Sequence, residues 1–254
     1  MKTVVMIQAR MNSSRLPGKV LLDLGGKPML ERVIDRASRA SRVDQVCVAT
    51  TTDPSDDQIA AFCASRSIAC YRGSQFDVLD RFYQAARQVG AKIIVRLTAD
   101  CPVIDPALID QSIAAFLEND VDFVATRLPP PWKRTYPIGQ DIEVCRFTGL
   151  ERAWREAKQP YEREHVMPYF YDEDGRFRIL VLNHDPDFGS LRWTVDTAED
   201  LEVLRRVFEH FGNRDDFTWL DVLALFQREP ELAQINASVP HKSGLDVDER
   251  MKPA

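Results

Sequence analysis

Val4-Val5-Met6-Ile7-Gln8-Ala9-Arg10-Met11-Asn12-Ser13-Ser14-Arg15-Leu16-Pro17-Gly18-Lys19 lies at the start of the chain and decides its reading. Four successive apolar residues without alternation predict a strand covered on both faces, as in a parallel sheet. Gln8 to Lys19 then reads as a polar loop, after which Leu30, Val33, Ile34 and Ala37 recur at helical spacing. The carboxyl edge of a first strand is where open α/β sheets take ligands. The loop offers Arg10, Arg15 and Lys19 as cations, the hydroxyls of Ser13 and Ser14, and backbone amides near Gly18. Guanidinium forks, a point-charge ammonium and oriented N–H dipoles are how a triphosphate is held. The pattern is neither a P-loop nor Gly-x-Gly-x-x-Gly. The plainer alternative, a solvated basic loop, fits poorly with three cations so closely spaced in a chain of net charge −6.

Working outward, Gln45–Thr50 predicts a strand, and Asp53-Pro54 opens a helix carrying Ile59, Phe62 and Cys63. A strand at 69–71, a helix with Val78, Leu79, Phe82, Ala86 and Val89, and a strand at 92–97 follow. A helix at 106–117 and a strand at 121–125 complete the series. This alternation predicts an α/β fold of three layers around a mostly parallel sheet. It stops near Arg127, where Pro129-Pro130-Pro131 through Gly139 cannot be core strand. A strand at 142–144, helices at 148–157 and 161–171 and a strand at 178–182 come next. Residues 127–190 are read as an inserted substrate or dimerisation lobe of a single domain spanning 1–228. Leu191–Val195 predicts a returning strand, and helices at 198–211 and 218–228 close the domain. Residues 229–254 are polar and weakly periodic, predicting a loosely held tail.

Composition narrows the classes. The 254 residues are 44% hydrophobic and 28% charged, as in ordinary globular proteins and unlike disordered chains. No apolar run reaches the length of a membrane span, and the N-terminus lacks a signal-peptide pattern. The acidic balance argues against a general nucleic-acid binder. Five scattered cysteines, never in a Cys-x-x-Cys pair, predict reduced thiols in a cytoplasm. Cys101 is read as a packing residue despite its acidic neighbour.

Two further stretches carry chemistry. Arg96-Leu97-Thr98-Ala99-Asp100-Cys101-Pro102 places an acid just beyond a strand, suited to Mg²⁺, which takes carboxylate and phosphate oxygens. The alternative is a turn or N-cap aspartate. Arg192-Trp193-Thr194-Val195-Asp196-Thr197-Ala198-Glu199-Asp200-Leu201 repeats the arrangement, with an N-cap completed by Glu199 as the alternative for Asp196. Two such aspartates would converge on one metal. Gly73-Ser74 before Asp77-Val78-Leu79-Asp80-Arg81 reads as part of a base or phosphate site, or as a helix start with an Asp cap. Gln140, Asp141 and Glu143 offer polar groups to a hydroxylated substrate. Lys133-Arg134 reads as a lid cation pair or a solvated loop, and His165 as a site residue or a structural histidine.

The segment Ile7 to Lys19 resembles the opening signature of the cytidylyltransferases that activate acidic sugars, the acylneuraminate and 3-deoxy-octulosonate enzymes. By eye it is most similar to the SpsF-type subgroup, named for spore-coat polysaccharide synthesis. The resemblance continues through Arg72-Gly73-Ser74, Asp77 to Arg81, Arg96 to Pro102, Glu164-His165-Val166 and Val195-Asp196-Thr197 with Asp200-Leu201. It implies a Rossmann-like nucleotide-diphospho-sugar transferase fold, CTP, Mg²⁺ and a reaction that makes a CMP-sugar and pyrophosphate. Residues expected at the nucleotide are Gln8, Ala9, Arg10, Ser14, Arg15, Lys19, Gly73, Ser74, Arg81, Thr98 and Ala99. Arg10, Lys19, Asp100 and Asp196 are expected to be catalytic, the two aspartates as metal ligands. Gln140, Asp141, Glu143, Arg163 and His165 are expected at the sugar. A homodimer is expected through the lobe, whose Tyr161 to Tyr171 stretch looks too apolar for a peripheral surface. A glycosyltransferase on the same fold would want an Asp-x-Asp motif, which Asp100-Cys101-Pro102 is not. A non-catalytic nucleotide-binding homologue should have lost a cation or an aspartate, and none is missing.

Overall fold

The computed structural model describes residues 1–240. Its first strand, β1 (Thr3–Gln8), accounts for the unbroken apolar run, because successive side chains leave opposite faces and both faces are covered. Val5 and Ile7 enter one core layer with Val48, Val95 and Leu97. Val4 and Met6 enter the other with Cys47, Ala49 and Ile94. Parallel strands flank β1: β2 (Gln45–Thr51) sets Val48 beside Ile7, and β4 (Ile93–Thr98) sets Leu97 on its other side. β3 (Ala69–Gly73) lies parallel outside β2. Past β4 come β6 (Glu143–Arg146), antiparallel to its neighbours, then β5 (Phe123–Ala125) and β7 (Ile179–Val181). The strand order among the described residues is β3-β2-β1-β4-β6-β5-β7, the mostly parallel α/β sheet the sequence predicts.

Helices cover both faces. α1 (Met29–Ala37), α2 (Asp57–Ser65), α4 (Pro106–Glu118), α8 (Ala198–His210) and α9 (Trp219–Arg228) bury Val33, Ile59, Ile109, Leu204 and Val222 in the first layer. α3 (Val78–Val89) and α5 (Phe147–Glu156) bury Phe82 and Leu150 in the second. Strand order reverses at β1, so the carboxyl ends of β1 and β4 flank a crevice of the kind that binds ligands in open α/β sheets. No helix of the described residues is long and apolar enough to cross a membrane.

Several expectations change. Leu191–Val195 is not a strand: Arg192 makes a single parallel bridge to Ile138. Trp193 and Val195 are buried in the first core layer without joining the sheet, the Trp193 ring 5.5 Å from that of Phe226 in α9. An apolar run does not distinguish the two kinds of burial. The helix expected over 161–171 divides into α6 (Pro160–His165) and α7 (Pro168–Tyr171). Val166 takes a φ of 72° there, and Pro168 has no N–H to continue a helix. Residues 127–190 are not a lobe apart, since they supply β6 and β7 to the central sheet. The stretch read as surplus apolar surface is largely internal: Val166, Met167, Tyr169 and Phe170 are buried, and Phe170 stacks on Phe123 at 5.0 Å. Nor is the chain loose from 229. α10 (Leu232–Ile235) sinks Leu232 into the core, and buried Asn236 donates to Arg192 O at 3.1 Å and Asp200 Oδ1 at 2.9 Å. The rest of the expected tail, 241–254, lies outside the described residues.

Candidate active site

The loop after β1 is closed on itself by backbone hydrogen bonds. Gly18 holds a φ of 72°, a conformation glycine takes without steric cost. Its N–H donates to Met11 O at 2.8 Å, and Ser13 N–H donates to the same carbonyl at 2.9 Å. Met11 N–H donates to Asp56 Oδ1 at 2.7 Å. Buried Asp56 also accepts from Thr51 N–H at 3.1 Å and from the Thr51 hydroxyl. Asp56 is absent from the expected set, because no local signal marks a carboxylate as the anchor of a loop so distant in sequence. After Gly18 the chain enters a 3₁₀ turn, Lys19–Leu21, in which Lys19 is only 7% exposed.

Lys19 Nζ joins the two predicted aspartates. It donates to Asp100 Oδ2 at 2.7 Å, Asp196 Oδ1 at 2.9 Å and Val195 O at 2.7 Å. Two oxygens so close to one nitrogen lie within the bridging reach of a single cation. Asp196 Oδ2 also meets Arg15 Nη2 and Arg192 Nη2, each at 2.7 Å. Arg192 is oriented in turn by wholly buried Asp200, through Nε at 2.8 Å and Nη2 at 3.0 Å. The backbone ties the two aspartate segments together, Val195 N–H donating to Asp100 O at 2.9 Å.

Neither aspartate serves as a helix cap. Asp105 caps α4, accepting from Ala107 and Leu108 N–H. Thr197 and Asp200 form the capping box of α8, not Asp196 and Glu199. Burial pushes the Asp196 carboxyl up, yet the Lys19 charge and hydrogen bond, then Arg15 and Arg192, outweigh it and hold the group down to about 2. Burial opposes the charge on Lys19, and Asp100 and Asp196 overcome it, so its pKa is raised. Burial, then the Asp100 and Asp141 charges, push the Cys101 thiol well up, so it is a neutral packing group as expected.

A cation loop and an acid pair thus share one crevice at the switch point of the sheet. A family model described as Cytidylyltransferase matches residues 4–217. The chain belongs to the cytidylyltransferase family. It is similar to the spore coat polysaccharide biosynthesis protein SpsF of Bacillus subtilis, 32% identical over 234 residues, 89% of this chain and 95% of that protein. It is also 33% identical over 250 residues to the 3-deoxy-manno-octulosonate cytidylyltransferase of Chloroherpeton thalassium, covering 95% and 99% of the two chains. A solved cytidylyltransferase structure from Leptospira borgpetersenii matches with a TM-score of 0.87 at 32% identity, over 95% of this chain and 100% of that one.

The remaining expected residues of this cytidylyltransferase fall into two groups. Around the loop, buried Ala9 and Ala99 bind the strand ends together, Ala99 N–H donating to Gln8 O at 3.0 Å. Gln8 Oε1 accepts from Arg96 Nη2 at 3.1 Å, and Arg96 is ion-paired with Glu143. Thr98 lies 3.3 Å from the Cys101 sulfur, and Ser14 is exposed on the loop. Beyond β3, Ser74 accepts from Asp77 N–H at 3.0 Å through its hydroxyl and from Arg81 Nη1 at 2.5 Å through its carbonyl. Arg81 is wholly buried, and its Nε and Nη2 have no hydrogen-bond partner among the described residues. Burial, then the Arg10 charge, bring its guanidinium down to about 10. Buried donors without partners are uncommon and call for an acceptor such as a ligand oxygen.

The residues expected at the sugar are mostly engaged within the protein. Gln140 is fully buried, donating to Val103 O at 2.8 Å and accepting from Asp105 N–H at 3.0 Å. Its role is to brace the turn after β4, which corrects its reading as a substrate contact. Asp141 pairs with Arg134 through both oxygens, the longer contact 3.2 Å. Arg163 uses all three nitrogens, on Asp77 at 3.0 and 2.5 Å and on Trp154 O at 2.7 Å. Asp77 is indeed the N-cap of α3, so the helix-start reading holds for it. His165 ends α6 and is half-buried. Arg96, Arg192, Asp200 and Asn236 complete the centre without having been expected there, since each acts through a partner that no strand or helix period links to it.

Proposed function

We propose that this cytidylyltransferase transfers the CMP group of CTP to a hydroxyl of an acidic sugar, for surface polysaccharide synthesis. The observation that carries this reading is the joint approach of Lys19 and Arg15 to Asp100 and Asp196. The sugar oxygen attacks the α-phosphorus in line, its bond forms as the bond to the bridging oxygen breaks, and pyrophosphate leaves. Catalysis of this kind is mostly positioning and charge neutralisation. Arg10, Arg15 and Lys19 take up charge on the departing pyrophosphate, and the Arg81 donors that have no partner among the described residues suit an acceptor oxygen of the nucleotide.

The donor set suits Mg²⁺. Asp100 and Asp196 already share one cation, the Lys19 ammonium. No group of three His, Cys, Asp or Glu side chains among the described residues is placed to hold a metal, so phosphate and water oxygens would complete the shell, as is usual for this ion. When bound, it supplies Lewis-acid neutralisation of the reacting phosphate. The sugar carboxylate calls for a cation; Arg163 and Arg134 are ion-paired within the protein, which favours exposed Lys133.

The test is pyrophosphate release with CTP, UTP, GTP and ATP against acidic and neutral sugars, with calorimetry for each nucleotide. CTP with an acidic sugar is the expected pair. A purine nucleotide that binds as tightly as CTP, or turnover confined to neutral sugars, refutes the proposal.

A further inference from the structure

Lys19 sits where a divalent ion would sit. Its Nζ is surrounded by three oxygens, Asp100 Oδ2 at 2.7 Å, Asp196 Oδ1 at 2.9 Å and Val195 O at 2.7 Å. We infer that the Lys19 ammonium is a tethered counter-ion that keeps divalent metal off the Asp100–Asp196 pair until a polyphosphate draws it away. The identity of that polyphosphate rests on the cytidylyltransferase reading; the exclusion of metal from the nucleotide-free protein does not.

Charge is the first argument. Among the described residues, Lys19, Arg15 and Arg192 face Asp100, Asp196 and Asp200 in one connected network, three positive charges against three negative. A divalent ion entering while Lys19 stays would add a double positive charge beside a buried ammonium, where solvent screens repulsion poorly. Volume is the second argument. Mg²⁺ holds its oxygens at about 2.0–2.1 Å, so an ion between these carboxylates needs the space that Nζ fills. The third is an exit. Lys19 and Arg15 lie on the same loop and both hold Asp196, so an anion in that loop competes for both cations and frees Asp196 Oδ1, while Arg192 stays on Oδ2. The four-carbon lysine stem can swing without moving the backbone. Nucleotide and metal would then each raise the other's affinity, as linkage requires.

Mn²⁺ serves as the probe, its binding to nucleotide-free protein measured by electron paramagnetic resonance. Lys19→Met should bind Mn²⁺ about tenfold more tightly than the wild type, or better, because Asp100 loses its ammonium and Asp196 one of its three cations, leaving excess negative charge at the pair. Lys19→Arg keeps the charge and should gain nothing. Adding Asp196→Asn to Lys19→Met should abolish the gain and so assign it to this pair. Equal Mn²⁺ affinity in the wild type and Lys19→Met overturns the inference. Should Lys19→Met fail to fold, wild-type crystals soaked in Mn²⁺ with and without CTP decide. Anomalous density between the aspartates only with CTP, and Nζ moved onto phosphate, supports the exchange; density there with Lys19 in place overturns it. Calorimetry separates the two readings. A protein that binds no CTP yet shows the Mn²⁺ gain keeps the counter-ion and loses the proposed function, and the converse result does the reverse.

Discussion

Lys19 has two roles at the residue scale: it pairs the half-buried Asp100 and Asp196 carboxylates, and in the proposed function it meets phosphate. Lys19→Ala should slow pyrophosphate release about 30- to several-thousand-fold, the cost of about 2–5 kcal/mol for a lost charged contact. It should also lower the urea midpoint, because Asp100 and Asp196 lose a shared partner. Arg10→Ala should slow turnover in the same range; near-normal rates in either variant dismiss the loop assignment. Asp196 gives a pH signature. Its folded pKa lies at about 2, below the ordinary 3.8, so its stabilising contribution is present above 3.8 and disappears as pH falls toward about 2. The gap in urea midpoint between wild type and Asp196→Asn should therefore be widest near neutrality and close in that acid window. A gap that does not change with pH contradicts the ion-pair account.

Elements meet the site through their ends. Asp105 shows how one carboxylate fixes two of them: Oδ1 caps α4 at Ala107 N–H (2.8 Å), and Oδ2 accepts from Trp219 N–H at 2.7 Å, where α9 begins. Asp105→Ala removes a cap and strands a buried donor, so it should cost about 2–4 kcal/mol in urea denaturation. A loss below about 0.5 kcal/mol, the range of ordinary surface substitutions, refutes that dual role. The same logic places α10. Asn236 grips Asp200, Asp200 grips Arg192, and Arg192 grips Asp196, so the last described helix leads into the crevice through the residue that follows it.

For the whole molecule, the sheet divides the core into two layers, and thiols report on both. Cys63 and Cys101 are buried on one side or at the strand ends, Cys47 and Cys145 in the second layer, and Cys70 alone of the five is partly exposed. With a thiol-reactive dye under native conditions, one cysteine should react promptly and four only as fast as the protein opens globally. Two or more fast thiols would mean that the sheet opens locally. The burial of the 166–170 stretch also removes the surface argument for a dimer, which then stands on the family resemblance. Light scattering is the direct measurement of it.

Much of the fold was legible because both-face burial leaves a mark in composition. Val4 to Ile7, Val46 to Ala49 and Ile93 to Val95 are apolar without alternation, as parallel strands under helices on both faces are. The loop and Asp100 were legible for a related reason: charge packed at the carboxyl ends of such strands has few structural uses. Asp196 follows a run that is not a strand, yet it meets the same ammonium as Asp100. Pairings between distant segments were not. Whether Leu191–Val195 joins the sheet or is buried outside it, whether Gln140 faces a ligand or a backbone, and which arginines already hold an acid depend on partners far away in sequence. Local pattern records that a side chain is buried or charged. Only the tertiary structure decides what it meets, because hydrogen bonds and ion pairs are set by proximity in space and leave no period in the chain.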